Sequence, residues 1–465
     1  MTTWSTGTID GAGIHQDGEA IVSTVIDRLD SAAPQTAEAL ERVRTVARSL
    51  GLSRIAKKII VVGGTNGKGS TVGFIESIAR YSGLRVGCLT SPHIHRYNEN
   101  VRIDGVEPTD AELFAAFHRV MCASLGVDPQ QTRPNLKVMS SPSAVEDYCI
   151  GGKYETIPLR PFELLPLVAL LLLSDAGLDL AVVEVGMGGR WDAVNVLDAD
   201  LAIITTVDLD HFEFLGCDRE TIGANKAGIF RRDGLAITGD IDPPNSVVRE
   251  ARFLKTRLIR IGHEFRICPG EKEWRFEDAT SSIQLPYPRL IAPVQVSNAA
   301  VAVASLRALY PEISQSKLAA GILSTEVPGR LQSVRYREKE IFIDVGHNRQ
   351  AARSLADWLR KAAMGRSAVA VYGALGDKDV GGVIEEMLGV VDRWHFCGLD
   401  EKSERGLSLS QLNERICGIH INKCTHGSLK DALDAAVDET QDDGVILAFG
   451  SFAVVSSVLT LVSTS

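Results

Sequence analysis

The chain has 465 residues, more than a single hydrophobic core usually organises, so we expect two domains. Hydrophobic residues make up 45% and charged residues 23%, a composition that argues against extended disorder. The formal net charge of -10 argues against nonspecific binding to nucleic acid or to anionic membranes, since both need an excess of exposed lysine and arginine.

The lack of a recognisable targeting signal and the spacing of the cysteines predict a cytoplasmic protein. Residues 1–20 lack the basic and apolar blocks of a secretory signal and predict a flexible tail. The longest apolar run, 164–173, contains Pro166 and is much shorter than the roughly 20 residues that cross a bilayer, so it predicts a core helix. The eight cysteines have no partner at metal-binding spacing and read as reduced thiols. We expect a monomer without a membrane or nucleic-acid partner.

The first predicted elements are a helix over 36–50, an apolar strand over 57–61 and a second helix from 72 onward. The glycine-rich run 62–71, VGGTNGKGST, connects the strand to the second helix. Its glycines let backbone N–H groups approach an anion, Lys68 supplies a mobile cation, and the positive end of the following helix faces the ligand. The run therefore predicts a phosphate-binding loop.

This loop departs from the general Walker pattern, because Gly69 separates Lys68 from Ser70. The simpler alternative is a glycine-rich turn before an ordinary helix. The order of strand, loop and helix favours phosphate binding over that alternative.

Short apolar runs then alternate with helical stretches, which predicts a largely parallel sheet covered by helices. In such a sheet, ligands bind beyond the carboxyl ends of the strands. The predicted strands are 85–90, 180–185, 201–207, 235–238 and 257–261. Between the first two of them, the proline-containing stretch 122–160 predicts a long surface loop of the kind that often forms a lid.

The alternation restarts near residue 330, so we predict domains 1–330 and 331–465. The smaller second domain is predicted to be α/β as well, without a phosphate loop of its own. Its predicted strands are 340–345, 368–375, 393–399 and 445–449. The expected fold class is α/β, with a mostly parallel, phosphate-loop-containing domain followed by a smaller Rossmann-like domain.

Three polar side chains follow predicted strands at the same edge as the phosphate loop: Ser91, Glu184 and His211. A hydroxyl, a carboxylate and an imidazole beside bound phosphates suit Mg²⁺, although histidine is an uncommon magnesium ligand. Taken singly, each is more often a solvated or hydrogen-bonded residue, and Lys226 alone is an ordinary helix lysine. Divalent cations would offset the repulsion between a triphosphate and a substrate carboxylate, about 4 kcal/mol per pair of unit charges in contact.

Taken together, ten ordered motifs resemble the dihydrofolate synthase/folylpolyglutamate synthase family of the Mur ligase superfamily. The first-half motifs are Gly64–Ser70, Ser91–His93, Arg96–Glu99, Glu184–Asn195, Asp210–His211 and Lys226–Ile229. The second-half motifs are Pro328–Arg330, Asp344–Asn348, Gly376–Asp379 and Phe449–Phe452. The resemblance implies a fold like the central and C-terminal Mur ligase domains.

The resemblance also implies roles for individual residues. It implies catalytic roles for Lys68, Glu184, His211, Lys226 and His347. It implies ATP contacts from Asn66, Gly67, Lys68, Gly69, Ser70, Asn298, Arg330 and Asp344. It implies two Mg²⁺ ions held by Ser91, Glu184, His211 and a carbamoylated Lys226, and a carbamate would turn that cation into an anionic oxygen ligand.

For the pterin end of the substrate, the resemblance implies contacts from Phe162, Trp191, Asp192 and Ala193. Arg160-Pro161 stand where the family usually has a small polar residue and an aromatic one. Because of this difference, the resemblance does not fix the shape of the pterin pocket.

The implied function is an ATP-dependent ligase that activates a pteroate or folate carboxylate as an acyl phosphate and joins it to L-glutamate. The amino-acid sequence of the loop at 188–193 favours an enzyme that uses both dihydropteroate and reduced folates as substrates. One alternative is a sibling ligase that adds an amino acid to a peptidoglycan precursor. Another is a nucleotide-binding regulatory module without catalysis, which would lack ligands at Ser91, Glu184, His211 or Lys226, yet all four residues are present.

Overall fold

The computed structural model describes residues 36–129, 157 and 159–463. The predicted tail 1–20 and most of the predicted loop 122–160 lie outside these residues. A helix continues to Leu125 because Met121 and Leu125 are buried in the core, so the loop begins later than predicted. No helix in the described ranges combines the length and apolar character needed to cross a bilayer.

The first half is built on a seven-stranded sheet of order β3-β2-β4-β1-β5-β6-β7, parallel except for β3. Its strands are β1 (Ala56–Gly63), β2 (Val86–Leu89), β3 (Val101–Ile103), β4 (Leu178–Glu184), β5 (Leu201–Ile204), β6 (Leu235–Thr238) and β7 (Arg257–Arg260). Its helices are α1 (Ala37–Ser49), α2 (Lys68–Tyr81), α3 (Asp110–Leu125), α4 (Pro161–Asp175), α5 (Phe212–Leu215), α6 (Arg219–Lys226), α7 (Asn245–Leu254), α8 (Gln295–Leu309) and α9 (Gln315–Ser324).

Central strand β1 is buried on both faces, as expected of a parallel sheet covered by helices. Ile59 and Val61 pack into one core, together with α1, α3 and α4. Ile60 and Val62 pack into the opposite core, together with α2, α8 and α9. Since the strand is fixed on both sides, its carboxyl end holds the phosphate loop at a defined position.

A three-stranded antiparallel sheet follows β7 and was not predicted from the sequence. It consists of β8 (Phe265–Pro269), β9 (Glu273–Asp278) and β10 (Ser282–Pro286). In β9, Trp274 and Phe276 are buried while the alternate residues face outward, the two-residue period of a half-buried strand. This sheet packs its apolar face into the core around α8.

The second half is built on a six-stranded sheet of order β11-β12-β16-β13-β14-β15, parallel except for β11. Its strands are β11 (Gln332–Tyr336), β12 (Lys339–Asp344), β13 (Ala368–Tyr372), β14 (Arg393–Cys397), β15 (Lys423–His426) and β16 (Val445–Phe449). Its helices are α10 (Arg349–Ala362), α11 (Val380–Glu386), α12 (Leu409–Arg415), α13 (Leu429–Glu439) and α14 (Phe452–Ser463). The predicted α/β class with mostly parallel sheets is confirmed.

The predicted domain boundary near residue 330 falls between α9 and β11 and stays a prediction. If each half folds around its own core, a cavity in one core will destabilise that half alone. Ile203→Ala in β5 and Leu447→Ala in β16 remove fully buried side chains, and each is expected to cost about 2–5 kcal/mol. Differential scanning calorimetry should show two transitions, with each variant lowering a different one. A single transition shifted by both variants would contradict two independent domains.

Candidate active site

The phosphate loop lies between β1 and α2, and its shape depends on two glycines. Gly64 and Gly67 have φ angles of 143° and 86°. A Cβ atom on Gly64 would lie 1.9 Å from Thr205 Oγ1, so no larger residue fits there. Helix α2 begins without a side-chain cap, which leaves its first N–H groups for an anion.

Two lysine side chains meet inside this loop. Lys68 Nζ donates to the carbonyl oxygens of Gly64 at 3.2 Å and Thr65 at 3.3 Å. Lys226, at the end of α6, donates to the same Gly64 oxygen at 3.0 Å and is only 3% exposed. Burial, assisted by the positive charge of Lys68, lowers the pKa of Lys226 to about 7. A considerable fraction of this amine is therefore neutral near neutral pH, and the neutral amine is the form that reacts with CO₂.

Glu184 and Ser91 face the loop from the neighbouring strands β4 and β2. Glu184 Oε2 accepts a hydrogen bond from Ser91 N at 3.2 Å, and the carboxyl group is 4% exposed. Burial raises the pKa of Glu184, against the opposing attraction of Lys68 and Arg330. A buried carboxylate and a hydroxyl next to a phosphate loop are oxygen ligands of the kind that Mg²⁺ prefers.

His211 follows β5 and is turned toward the second half of the chain. Its Nδ1 lies 3.3 Å from Asp377 Oδ2, and its Nε2 lies 3.4 Å from Lys378 Nζ. His211 Nδ1 is buried without a well-formed hydrogen bond. In the described part of the chain, no three His, Cys, Asp or Glu side chains form a ready metal cage. Mg²⁺ commonly completes its coordination with phosphates and water, so a closed protein cage is not required for it.

Asp210 is the centre of the contacts between the two halves, a role not assigned from the sequence. It accepts hydrogen bonds from Lys378 Nζ at 2.9 Å and Asn348 Nδ2 at 3.2 Å, and His347 Nε2 lies at 3.4 Å. Burial raises the pKa of Asp210, but His347, Lys378 and His211 outweigh that effect and hold the pKa well below its ordinary value. Two features of the sequence could have indicated this role of Asp210: the Asp210-His211 dipeptide and the lysine in the motif Gly376–Asp379.

The remaining second-half residues lie around the same edge. Burial and the neighbouring Lys378 lower the pKa of His347. The Arg330 guanidinium lies over the Phe452 ring, 5.4 Å from its centroid. Asp344 accepts N–H bonds from Leu331 and Gly346, both at 2.7 Å, and burial raises its pKa against the attraction of Arg330.

The predicted nucleotide residues come together at the junction of the halves. Asn66 exchanges two amide hydrogen bonds with Asn348, both at 3.0 Å. A Cβ atom on Gly67 would lie 2.5 Å from Asn298 Oδ1, so α8 closes tightly over the loop. A Cβ atom on Gly69 would lie 3.4 Å from Arg330 Nη2 and 3.5 Å from Glu184 Oε2. Ser70 is buried in the first turn of α2.

The predicted pterin residues have two kinds of environment. Asp192 is 2% exposed and accepts N–H bonds from Met187 at 3.1 Å and Val194 at 3.0 Å, so it shapes its own loop. Ala193 is buried in the 3-10 turn that follows. Trp191 is 37% exposed, and Phe162 is partly exposed beside this loop. The two aromatic rings are the groups open to a flat ligand.

The loop 188–193, predicted to contact the pterin, also contacts the segment that carries Lys226. Arg190 N donates to Asn225 O at 3.0 Å. A Cβ atom on Gly189 would lie 2.9 Å from Lys226 O, so the two backbones touch with no room for a side chain.

Comparisons with known proteins show which family this chain resembles. Residues 329–452 match the family model described as Mur ligase, glutamate ligase domain. The chain is 36% identical to the dihydrofolate synthase/folylpolyglutamate synthase of Escherichia coli, over 91% of each chain. It is 30% identical to the Mycobacterium tuberculosis protein of the same name, over 94% of this chain and 90% of that protein.

Comparison with solved structures finds proteins of the same kind. The Escherichia coli FolC structure in complex with DHPP and ADP is 34% identical, with a TM-score of 0.82, over 96% of this chain and 98% of that one. A bifunctional folylpolyglutamate synthase/dihydrofolate synthase with Mn, AMPPNP and L-glutamate bound is 32% identical, with a TM-score of 0.78, over 95% and 97% of the two chains.

The low pKa of Lys226 gives a testable prediction. In ¹³C-bicarbonate at pH 8 its neutral amine should form a carbamate, seen as a new ¹³C NMR signal in the wild-type protein. The signal should fall as the pH drops below 7, because protonation removes the reactive amine. Lys226→Arg should abolish the signal, whereas Lys361→Ala, at an exposed lysine, should leave it unchanged. A wild-type signal that persists in Lys226→Arg would contradict the prediction.

Proposed function

The chain belongs to the dihydrofolate synthase/folylpolyglutamate synthase family, and we propose that it joins L-glutamate both to dihydropteroate and to reduced folates through an acyl phosphate. It is an ATP-dependent, ADP-forming glutamate ligase of folate metabolism. The observation that carries the proposal is the phosphate loop with Lys68 and Lys226, which faces second-half groups across the junction. The alternative of a ligase for peptidoglycan precursors has no comparable support.

We propose that the ATP phosphates lie against the loop, held by Asn66, Gly67, Lys68, Gly69 and Ser70, with Asn298, Arg330 and Asp344 contacting the rest of the nucleotide. The backbone N–H groups at the start of α2 and the Lys68 ammonium provide positive charge for the phosphates. Arg330, at the predicted boundary between the halves, approaches Gly69, which supports a nucleotide bound at the junction. ADP in the Escherichia coli structure supports nucleotide binding by this chain.

We propose two Mg²⁺ ions, held by Ser91, Glu184, His211 and carbamoylated Lys226. Bound there, such ions neutralise phosphate charge and align the terminal phosphate with the attacking oxygen. The protein's contribution is a buried carboxylate at Glu184 and a lysine that its surroundings keep partly neutral. The manganese in the AMPPNP complex of a relative supports a divalent metal.

In the proposed reaction, the pteroate or folate carboxylate attacks the terminal phosphate of ATP and ADP leaves. The glutamate amine then displaces phosphate from the acyl carbon. Lys68 balances the charge that develops during the first step. We place the glutamate on the second-half side, beside His347. We propose that the contacts around Asp210 hold the junction closed and keep out the water that would hydrolyse the acyl phosphate.

We further propose that Phe162 and Trp191 hold the pterin ring, while Asp192 and Ala193 set the shape of the loop between them and the metal site. Stacking on exposed aromatic rings tolerates both a dihydropterin and a tetrahydropterin, which suits a bifunctional enzyme. A cytoplasmic monomer remains part of the proposal, and the free state of the seven described cysteines is compatible with that compartment.

The proposal is tested by ADP release from a matrix of acids and amino acids. We expect glutamate-dependent release with dihydropteroate and with tetrahydrofolate, and none with a nucleotide-sugar peptide precursor. Lys68→Ala should lower turnover by about a hundredfold or more, as loss of a charge-stabilising group does, whereas Lys361→Ala should have no effect. Release with the peptide precursor alone would overturn the assignment, and release with one pterin acid alone would remove the bifunctional part.

A further inference from the structure

Arg102 lies between the helix that starts at the phosphate loop and the segment that carries Ser91. From β3, its Nε and Nη2 atoms donate to both oxygens of Glu76 in α2, at 2.7–3.2 Å. Its remaining nitrogen, Nη1, donates to Glu99 O at 3.2 Å and Thr90 Oγ1 at 3.3 Å. One guanidinium group therefore joins α2 to both ends of the segment 90–99.

The contact with Glu76 is a partly buried ion pair in which two guanidinium nitrogens donate to one carboxylate. The Arg102 and Glu76 side chains are 25% and 8% exposed, so water screens them less than it screens a surface pair. Nε donates to both carboxylate oxygens and Nη2 donates to Oε2, so two nitrogens fix the direction of the guanidinium as well as its position. Removing Arg102 would leave the Glu76 carboxylate buried without its partner charge.

The segment that Arg102 holds is connected directly to the candidate metal site. Thr90 N donates to Asn100 O at 2.8 Å, which closes the segment just before Ser91. Ser91 N donates to Glu184 Oε2 at 3.2 Å, so the segment is joined to the buried carboxylate of the site. The same segment is held internally by Glu99, which accepts N–H bonds from Ile94, His95 and Arg96.

We infer that Arg102 is a positioning residue that sets Ser91 and Glu184 relative to the phosphate loop, so that affinity for magnesium-bound nucleotide depends on the Arg102–Glu76 pair. The inference rests on the proposed function for the location of the metal. Arg102 touches neither nucleotide nor substrate in this account. A purely structural ion pair would contribute stability without affecting nucleotide binding.

The experiment compares Arg102→Met and Arg102→Lys with a matched control. Arg307→Met breaks another partly buried pair, Arg307 with Asp278, in which both side chains are 21% exposed and which lies between α8 and β9. Calorimetry measures ADP binding at several Mg²⁺ concentrations, and hydrogen exchange measures the amides of residues 90–99. Both measurements use the full chain and need no pterin substrate.

Arg102→Met should weaken magnesium-dependent ADP binding about tenfold or more, the usual effect of removing a group that orients metal ligands. It should also speed exchange in the segment 90–99. Arg102→Lys should have an intermediate effect on both measurements. Lysine keeps the positive charge but lacks the planar guanidinium that donates from two nitrogens. Arg307→Met should change neither measurement. If Arg102→Met does not fold, Arg102→Lys and Glu76→Gln carry the test.

Magnesium-dependent ADP affinity equal to that of the wild type in the Arg102 variants would overturn the inference, whatever their melting temperature. Equal weakening by Arg307→Met would also overturn it, since the effect would then be general destabilisation. If the wild-type protein makes no glutamate adduct but Arg102→Met still weakens ADP binding, the proposed reaction fails while the positioning role stands.

Discussion

Two lysines at one carbonyl oxygen, one of them buried, are the constraint around which this site is built. Lys68 and Lys226 both donate to Gly64 O, and two ammonium charges at such close range repel each other by several kcal/mol in a protein environment. Burial, with the charge of Lys68 adding to its effect, lowers the pKa of Lys226, so this amine gives up its proton readily and the repulsion is relieved. A neutral, buried amine can take up CO₂ and become an anion. The pair would then consist of a cation for phosphates and an anionic oxygen for metal, with Glu184 alongside.

The second half completes this arrangement by supplying charges of its own. Lys378 is 5% exposed and is held between Asp210 and Asp377, so it brings a cation to the junction without leaving an unpaired charge. The pairing of Asn66 with Asn348 connects the phosphate loop to the start of α10. These contacts are polar and directional, so they fix the orientation of the two halves and can be exchanged for contacts with ligands. The substrate carboxylate, the triphosphate and glutamate would meet where both halves contribute charge.

The sequence predicted the parts of the molecule that depend on local pattern. The parallel strands, the core helix α4 and the phosphate loop have continuous apolar runs or a distinctive glycine spacing. The antiparallel sheet β8–β10 was missed because the strands were predicted from continuous apolar runs, whereas Arg275 between Trp274 and Phe276 shows the alternating pattern of a half-buried strand. The role of Asp210 was missed for a different reason: its partners His347, Asn348 and Lys378 are more than 130 residues away in sequence. Only the folded arrangement shows that Asp192, expected to contact substrate, supports its own loop.

The central claim is that triphosphate and metal bind at the junction, between the loop with the two lysines and the second half. The most direct test is a crystal structure with a non-hydrolysable ATP analogue and Mn²⁺, whose anomalous signal locates the metal independently. We expect the phosphates to lie against Gly67–Ser70 and a manganese peak to lie within coordination distance of Ser91 and Glu184. Phosphates bound away from Lys68, or manganese away from both ligands, would contradict it.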